Sequence, residues 1–278
     1  MRRIELAAVM RLDAREVLRS RWIVLCIAVY TALGAAFVWV GLRESSTLGF
    51  TGMGRVLFSL CHALVLVLPL LALLATGQVV NRARDDGTLE LLFANPIGRD
   101  AYLVGVTAVR LAALALPLVA VMVGLAAVGA LAFDQVVPWR FLSRAIALST
   151  TLLMAFVGLG IATSVTVRQP ARATTLLLLS WALAVALLDF ALIGLLLQWR
   201  MPARVVFAIA AANPVQASRM ALLAAAEPTL ATLGPVGFYL ANHLGPGRLV
   251  ALGLGWPALA GGLAWLLAWR RFRRGDVV

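Results

Sequence analysis

Residues 22–42, 21 in all, contain no charged side chain. A helix of that length reaches about 30 Å, the thickness of a bilayer's hydrocarbon core. Five more apolar runs follow, at residues 56–80, 101–133, 140–167, 174–199 and 249–269. No water is available in hydrocarbon to bond backbone N–H and C=O groups, so each run must satisfy its own as a helix. The sequence therefore predicts an all-α membrane protein with six transmembrane helices. Composition agrees: 63% of the 278 residues are apolar and 13% charged, against about half and about a quarter in soluble domains. Residues 1–278 read as one transmembrane domain, without a separate soluble unit or an internal repeat.

All 24 basic residues are arginine. Without lysine the chain cannot hold the phosphate-binding lysine of a P-loop, nor form a Schiff base. Two cysteines, Cys26 and Cys61, lie inside apolar runs, and no C-x-x-C spacing occurs. With His62, His243 and seven methionines they make no ligand cluster in sequence, so no metal site and no catalytic residue is expected. An intramembrane serine protease would need Ser149, Ser164 or Ser180 to meet His62. A proton-coupled carrier usually shows several intramembrane acids, and here only Asp189 lies well inside a span. That residue is a candidate for pairing with a neighbouring helix or for contact with cargo.

The net charge of +12 fits anionic lipid headgroups and the positive-inside bias rather than nucleic acid. Sixteen arginines fall on one side: six in residues 1–21, Arg82, Arg84, Arg99 and Arg110, Arg168 and Arg172, and four at the C-terminus. Eight fall on the other, including Arg55, Arg140, Arg144 and Arg219. Both termini are expected in the cytoplasm. Residues 1–21 read as an amphipathic helix lying in the headgroup plane, with Arg11, Arg15 and Arg19 on one stripe and Leu6, Met10, Ala14 and Val17 opposite.

Two loops carry information. The cytoplasmic loop 81–100 reads NRARDDGTLELLFANPIGRD. Asp85 or Asp86 is expected to cap a helix over Thr88–Ala94, Pro96 to end it, and Asp100 to cap the third span. Leu89, Leu92 and Phe93 share a face, suited either to a groove on a soluble partner or to the lipid surface. The outer loop 200–248 contains Asn213-Pro214, a helix start with Asn213 as N-cap and Gln216 at N3. That helix is expected to stop at Glu227-Pro228 and to lie on the membrane face as a cap, with Phe238 and Tyr239 as interface aromatics. In the fourth span Gly158 and Ala162, and Gly160 and Ser164, have small-x-x-x-small spacing, which fits close helix packing or mere tolerance of glycine in lipid.

At these loops the chain resembles the type-2 ABC transporter permeases. DGTLELLFANP at 86–96 looks like their signature between the second and third spans. NPVQASR, from Asn213 and Pro214 to Arg219, resembles the element before their last span, and FRRGD at 272–276 their C-terminus. Phe93 stands where the family usually has an aliphatic residue. The resemblance implies a homodimer in the bacterial inner membrane, with residues 1–21 as an elbow helix. Thr88, Leu89, Glu90, Leu91, Leu92 and Phe93 would form the coupling helix on a separate soluble ABC ATPase, present in two copies. ATP and Mg would sit on that partner, and this chain would bind no cofactor. The order of features is most similar to the permeases of nitrous oxide reductase maturation. That implies work on a copper site with a β-helical, NosD-like periplasmic partner. A generic exporter of a small molecule, lipid or peptide is the alternative.

Overall fold

The computed structural model describes residues 3–48, 53–134, 136–188, 190–191, 194, 202–226 and 244–274. Every element among them is helical. An amphipathic helix α1 (Arg3–Arg19) leads into α2 (Arg21–Leu48), and α3 (Met53–Thr76) is followed by α4 (Val79–Asp85). A two-turn helix α5 (Thr88–Ala94) then precedes α6 (Arg99–Phe133), α7 (Trp139–Thr166) and α8 (Pro170–Ala182). The helix α8 continues as a π-turn over Leu183–Leu187. The chain is completed by α9 (Ala203–Ala212), α10 (Pro214–Ala226) and α11 (Gly245–Arg274). Six of these helices are long and apolar enough to cross a membrane, as the apolar runs predict.

The core forms where α7 meets α3, α11 and α10. Leu57, Leu60, Leu64 and Leu68 repeat at helical spacing on α3 and are buried, as are Leu148, Leu152 and Phe156 on α7. Spacings of three and four place each set on one helix face. Lipid tails are as apolar as leucine, so helices in a bilayer gain by close packing, and small residues permit it. Gly158 faces the backbone of Gly261, and Gly160 faces Thr76. Ser164 accepts from the backbone N–H groups of Val80 (2.9 Å) and Asn81 (3.4 Å), satisfying two of the orphan donors that open α4. The small residues of the fourth span are thus packing contacts within the chain.

One expectation fails. The helix after Asn213 does not lie on the membrane face as a cap. Its residues Val215, Ala217, Ser218, Ala221 and Leu222 are buried in the bundle, and α9 meets it at 114°. Asn213 makes that corner possible. Its Oδ1 accepts from the Val215 N–H (2.9 Å), the N-cap bond expected of it, and its Nδ2 donates to the Ala184 carbonyl (2.5 Å). Ala184 lies in the π-turn, where the regular i→i−4 ladder is interrupted. The indole of Trp256 donates to the Ala212 carbonyl at the same corner (2.9 Å). A corner with its polar groups satisfied in this way can enter an apolar bundle. The hydropathy of a short alanine-rich helix does not distinguish a buried element from a surface one. Asp189, Glu227-Pro228, Phe238, Tyr239 and His243 lie outside the described residues.

Candidate functional site

Four segments meet at one end of the bundle: α1, the α4–α5 hairpin, the start of α6 and the end of α11. Tyr102 stacks on Phe272 at 5.8 Å, and Phe93 meets both rings at 6.1 and 6.2 Å. Asp100 accepts from the Trp269 indole (2.8 Å) and pairs with Arg273 (3.6 Å), whose guanidinium lies 4.9 Å from the Trp269 ring centre. The Arg99 guanidinium donates to the Arg273 carbonyl (3.2 Å), and the Gly98 N–H to Glu5 (3.4 Å). The charge-rich segments that the arginine count assigns to one side are therefore neighbours in space.

The turn before α5 differs from the sequence expectation. Neither Asp85 nor Asp86 caps that helix. Gly87 occupies the N-cap with a left-handed φ of 68°, a conformation that glycine adopts without a Cβ penalty. Likewise Gly98, not Asp100, precedes α6, because Asp100 is engaged by Trp269 and Arg273. The C-terminal end is as expected: Asn95, before Pro96, is extended (φ −92°, ψ 161°).

The orientation of α5 settles which residues face outward. Leu89 is 1% exposed, while Leu92 and Phe93 pack against the core, so the shared apolar face seats the helix on its own chain. Glu90 and Leu91 point away, with Leu91 71% exposed. Periodicity located the helix and its apolar face, but it could not show that the inner side of the same chain occupies that face. The single outward leucine was the available signal.

Beside α5 lies a cavity of about 450 Å³, walled by α1, α4 and α6. Arg110 reaches into it and donates to Asp13 at 2.8 Å and Glu16 at 3.5 Å. The Arg110 and Asp13 side chains are 13% and 6% exposed, whereas Glu16 is 73% exposed. Burial pushes the Asp13 carboxyl above the usual carboxylate range, although the Arg110 charge and hydrogen bond pull it down. The arginine count assigns Arg110 to the cytoplasmic side, and no sequence motif marks Asp13. Its spacing of four from Val9 and Val17, both buried, marks the face on which it lies.

At the far end of the bundle His62 lies against Phe58 (4.8 Å between ring centres), and Arg219 of α10 stands within its electrostatic reach. Cys26 and Cys61 are buried free thiols. Among the described residues no group of three His, Cys, Asp or Glu side chains is placed to hold a metal ion.

Comparison with known proteins gives the same picture. The sequence pattern described as "ABC-2 family transporter protein" matches residues 7–269. The chain is 30% identical over 194 residues to the "Probable ABC transporter permease protein NosY" of Stutzerimonas stutzeri, covering 67% of this chain and 68% of that protein. It is 30% identical over 95 residues to the protein of the same name from Pseudomonas aeruginosa, covering 34% of each.

Proposed function

Because the chain belongs to the ABC-2 transporter family and is the membrane-spanning permease subunit of an ABC transporter, we propose that α5 is the seat of the separate ATPase subunit. The outward face of α5 carries this reading: Glu90 and Leu91 project from a helix whose other face is fixed to its own bundle. A push on such a helix is transmitted rather than absorbed, since Phe93 ties it to Tyr102 of α6 and Phe272 of α11 while Leu89 and Leu92 pack into the core. Thr88 to Phe93 then form the coupling segment. The ATPase supplies ATP and Mg, and this chain binds no cofactor. In this reading the end that carries α5 and both termini faces the cytoplasm of a bacterium, in the inner membrane, and α1 is the elbow helix. Two copies of the chain pair with two ATPase subunits.

A finer reading places this transporter in copper-site maturation of nitrous oxide reductase, with a β-helical NosD-like periplasmic partner. The NosY name of its relatives and the resemblance in the two loops support it. Deletion of the gene should then yield nitrous oxide reductase deficient in copper at its active site. A fully loaded enzyme would leave a generic exporter as the reading.

The coupling role is tested by Leu91→Asp. An exposed leucine costs the fold little when replaced, but a central anchor of a docked helix contributes about 2 kcal/mol or more to binding. Co-purification with the ATPase of the same operon should fall about tenfold or more, with the thermal midpoint of the isolated permease unchanged. Undiminished association overturns the assignment. Leu92→Asp is the wrong probe, because it would also dislodge α5 from the bundle.

A further inference from the structure

The end of the bundle opposite α5 holds an open pocket of about 860 Å³. Three arginines stand at it: Arg55 in the first turn of α3, and Arg140 and Arg144 one turn apart at the start of α7. All three are exposed. Phe58, His62 and Phe141 also line the pocket, with ring centres 4.8 Å apart for Phe58 and His62 and 6.2 Å for Phe58 and Phe141. The third wall is the end of α10, with Leu223 and Ala225.

The sequence builds this arrangement simply. Arg55, Phe58 and His62 are spaced by three and four, so one face of α3 presents a cation, then a ring, then an imidazole. Arg140 and Arg144 are spaced by four on α7. Two long helices begin here, and their N-termini add positive potential. Among the described residues no Asp or Glu lines the pocket. Among the described residues no carboxylate lies within ion-pair distance of Arg55, Arg140 or Arg144. The His62 Nδ1 is buried without a hydrogen-bond partner among the described residues. Like charges gathered in a concave site repel one another unless an anion joins them, and guanidinium matches the oxygens of a phosphate-type group in a two-pronged fashion.

We propose that this pocket binds a phosphate-type oxyanion, held between Arg55, Arg140 and Arg144 above the Phe58–Phe141 floor. The group is carried by a lipid headgroup or arrives free in solution. Trp139, exposed beside Arg140, suits the membrane–water boundary, which either source can reach. The site stands apart from α5 and does not depend on the coupling role.

The test uses the full chain in phosphatidylcholine nanodiscs. One arm adds phosphatidylglycerol and measures, by native mass spectrometry, the lipid retained after release. The other titrates inorganic phosphate calorimetrically. The variant Arg140→Gln/Arg144→Gln should lose about tenfold or more in affinity in whichever arm the native chain binds. The control Arg270→Gln/Arg271→Gln removes equal charge at the opposite end and should match the native chain. Arg140→Lys/Arg144→Lys should recover part of the loss. Selective retention of phosphatidylglycerol identifies a lipid source, and saturable phosphate binding without lipid preference identifies a free oxyanion. The proposal is overturned if the native chain prefers neither anion, or if the Arg140/Arg144 variant and the control behave alike.

Discussion

Replacing Gly158 with leucine is expected to prevent α7 and α11 from meeting. A methyl group on Gly158 would collide with the carbonyl oxygen of Gly261, and one on Gly261 would come within 2.5 Å of the Met154 carbonyl oxygen. Both obstacles are helix backbone, which cannot turn aside as a side chain can, so the two helices would have to separate. Gly158→Ala should cost about 1–3 kcal/mol, the usual range for overpacking, and leucine more. Gly262 supplies the internal control. It neighbours Gly261 on α11, yet nothing lies within 4 Å of where its Cβ would stand. Gly262→Ala should therefore be neutral or stabilising by about 0.5–1 kcal/mol through helix propensity alone. Thermal midpoints in detergent and reversible unfolding in mixed micelles read both effects. A Gly158→Leu protein that unfolds with the native midpoint would mean the helices do not meet there.

That contrast shows what the sequence could reveal. The apolar runs give the six spans because hydrocarbon leaves the backbone no alternative to helix. They do not say which helix touches which. Gly261 and Gly262 are adjacent in sequence, and only the crossing of α7 and α11 separates them. The two-turn helix at Thr88–Ala94 was legible from Pro96 and from the spacing of Leu89, Leu92 and Phe93. Its direction was not, because the rings of Tyr102 and Phe272, which occupy its apolar side, come from positions remote in the chain. The capping expectations at Asp85, Asp86 and Asp100 fail for the same kind of reason. Local preference offers a cap, but a glycine turn and a tertiary partner, Trp269, prevail. Asn213 capped as expected because its partner, the Val215 N–H, is two residues away.

Removal of Arg110 is the second change expected to be severe. Arg110 is the charged group that approaches Asp13 on α6, and Asp13 is nearly enclosed. The two losses are not equivalent. Without Asp13, Arg110 keeps exposed Glu16 at 3.5 Å and a path to water. Without Arg110, Asp13 is a buried carboxylate with no counter-charge among the described residues, and Glu16 adds repulsion. Arg110→Met should cost about 3–5 kcal/mol at neutral pH, and Asp13→Leu/Arg110→Met should recover most of it, since an apolar pair requires no desolvation of charge. The pH dependence has a definite sign. A carboxyl held above its unfolded value of 3.8 binds its proton more tightly in the folded state. Its contribution is therefore fully present below that value and is lost as pH rises through the raised one. In Arg110→Met the influences that lower the value are gone, so stability should fall more steeply with rising pH than in the native chain and recover on acidification. Asp13→Asn should remove the slope. Thermal midpoints across a pH series decide it. An Arg110→Met protein as stable as the native chain in alkaline buffer would show that Asp13 has another partner, and a double variant no better than the single would show that lost packing, not lost charge, is the cause. The pair ties α1 to α6 beside α5, so a stable Asp13→Leu/Arg110→Met protein also separates the electrostatic tie from the packing tie when association with the ATPase is measured.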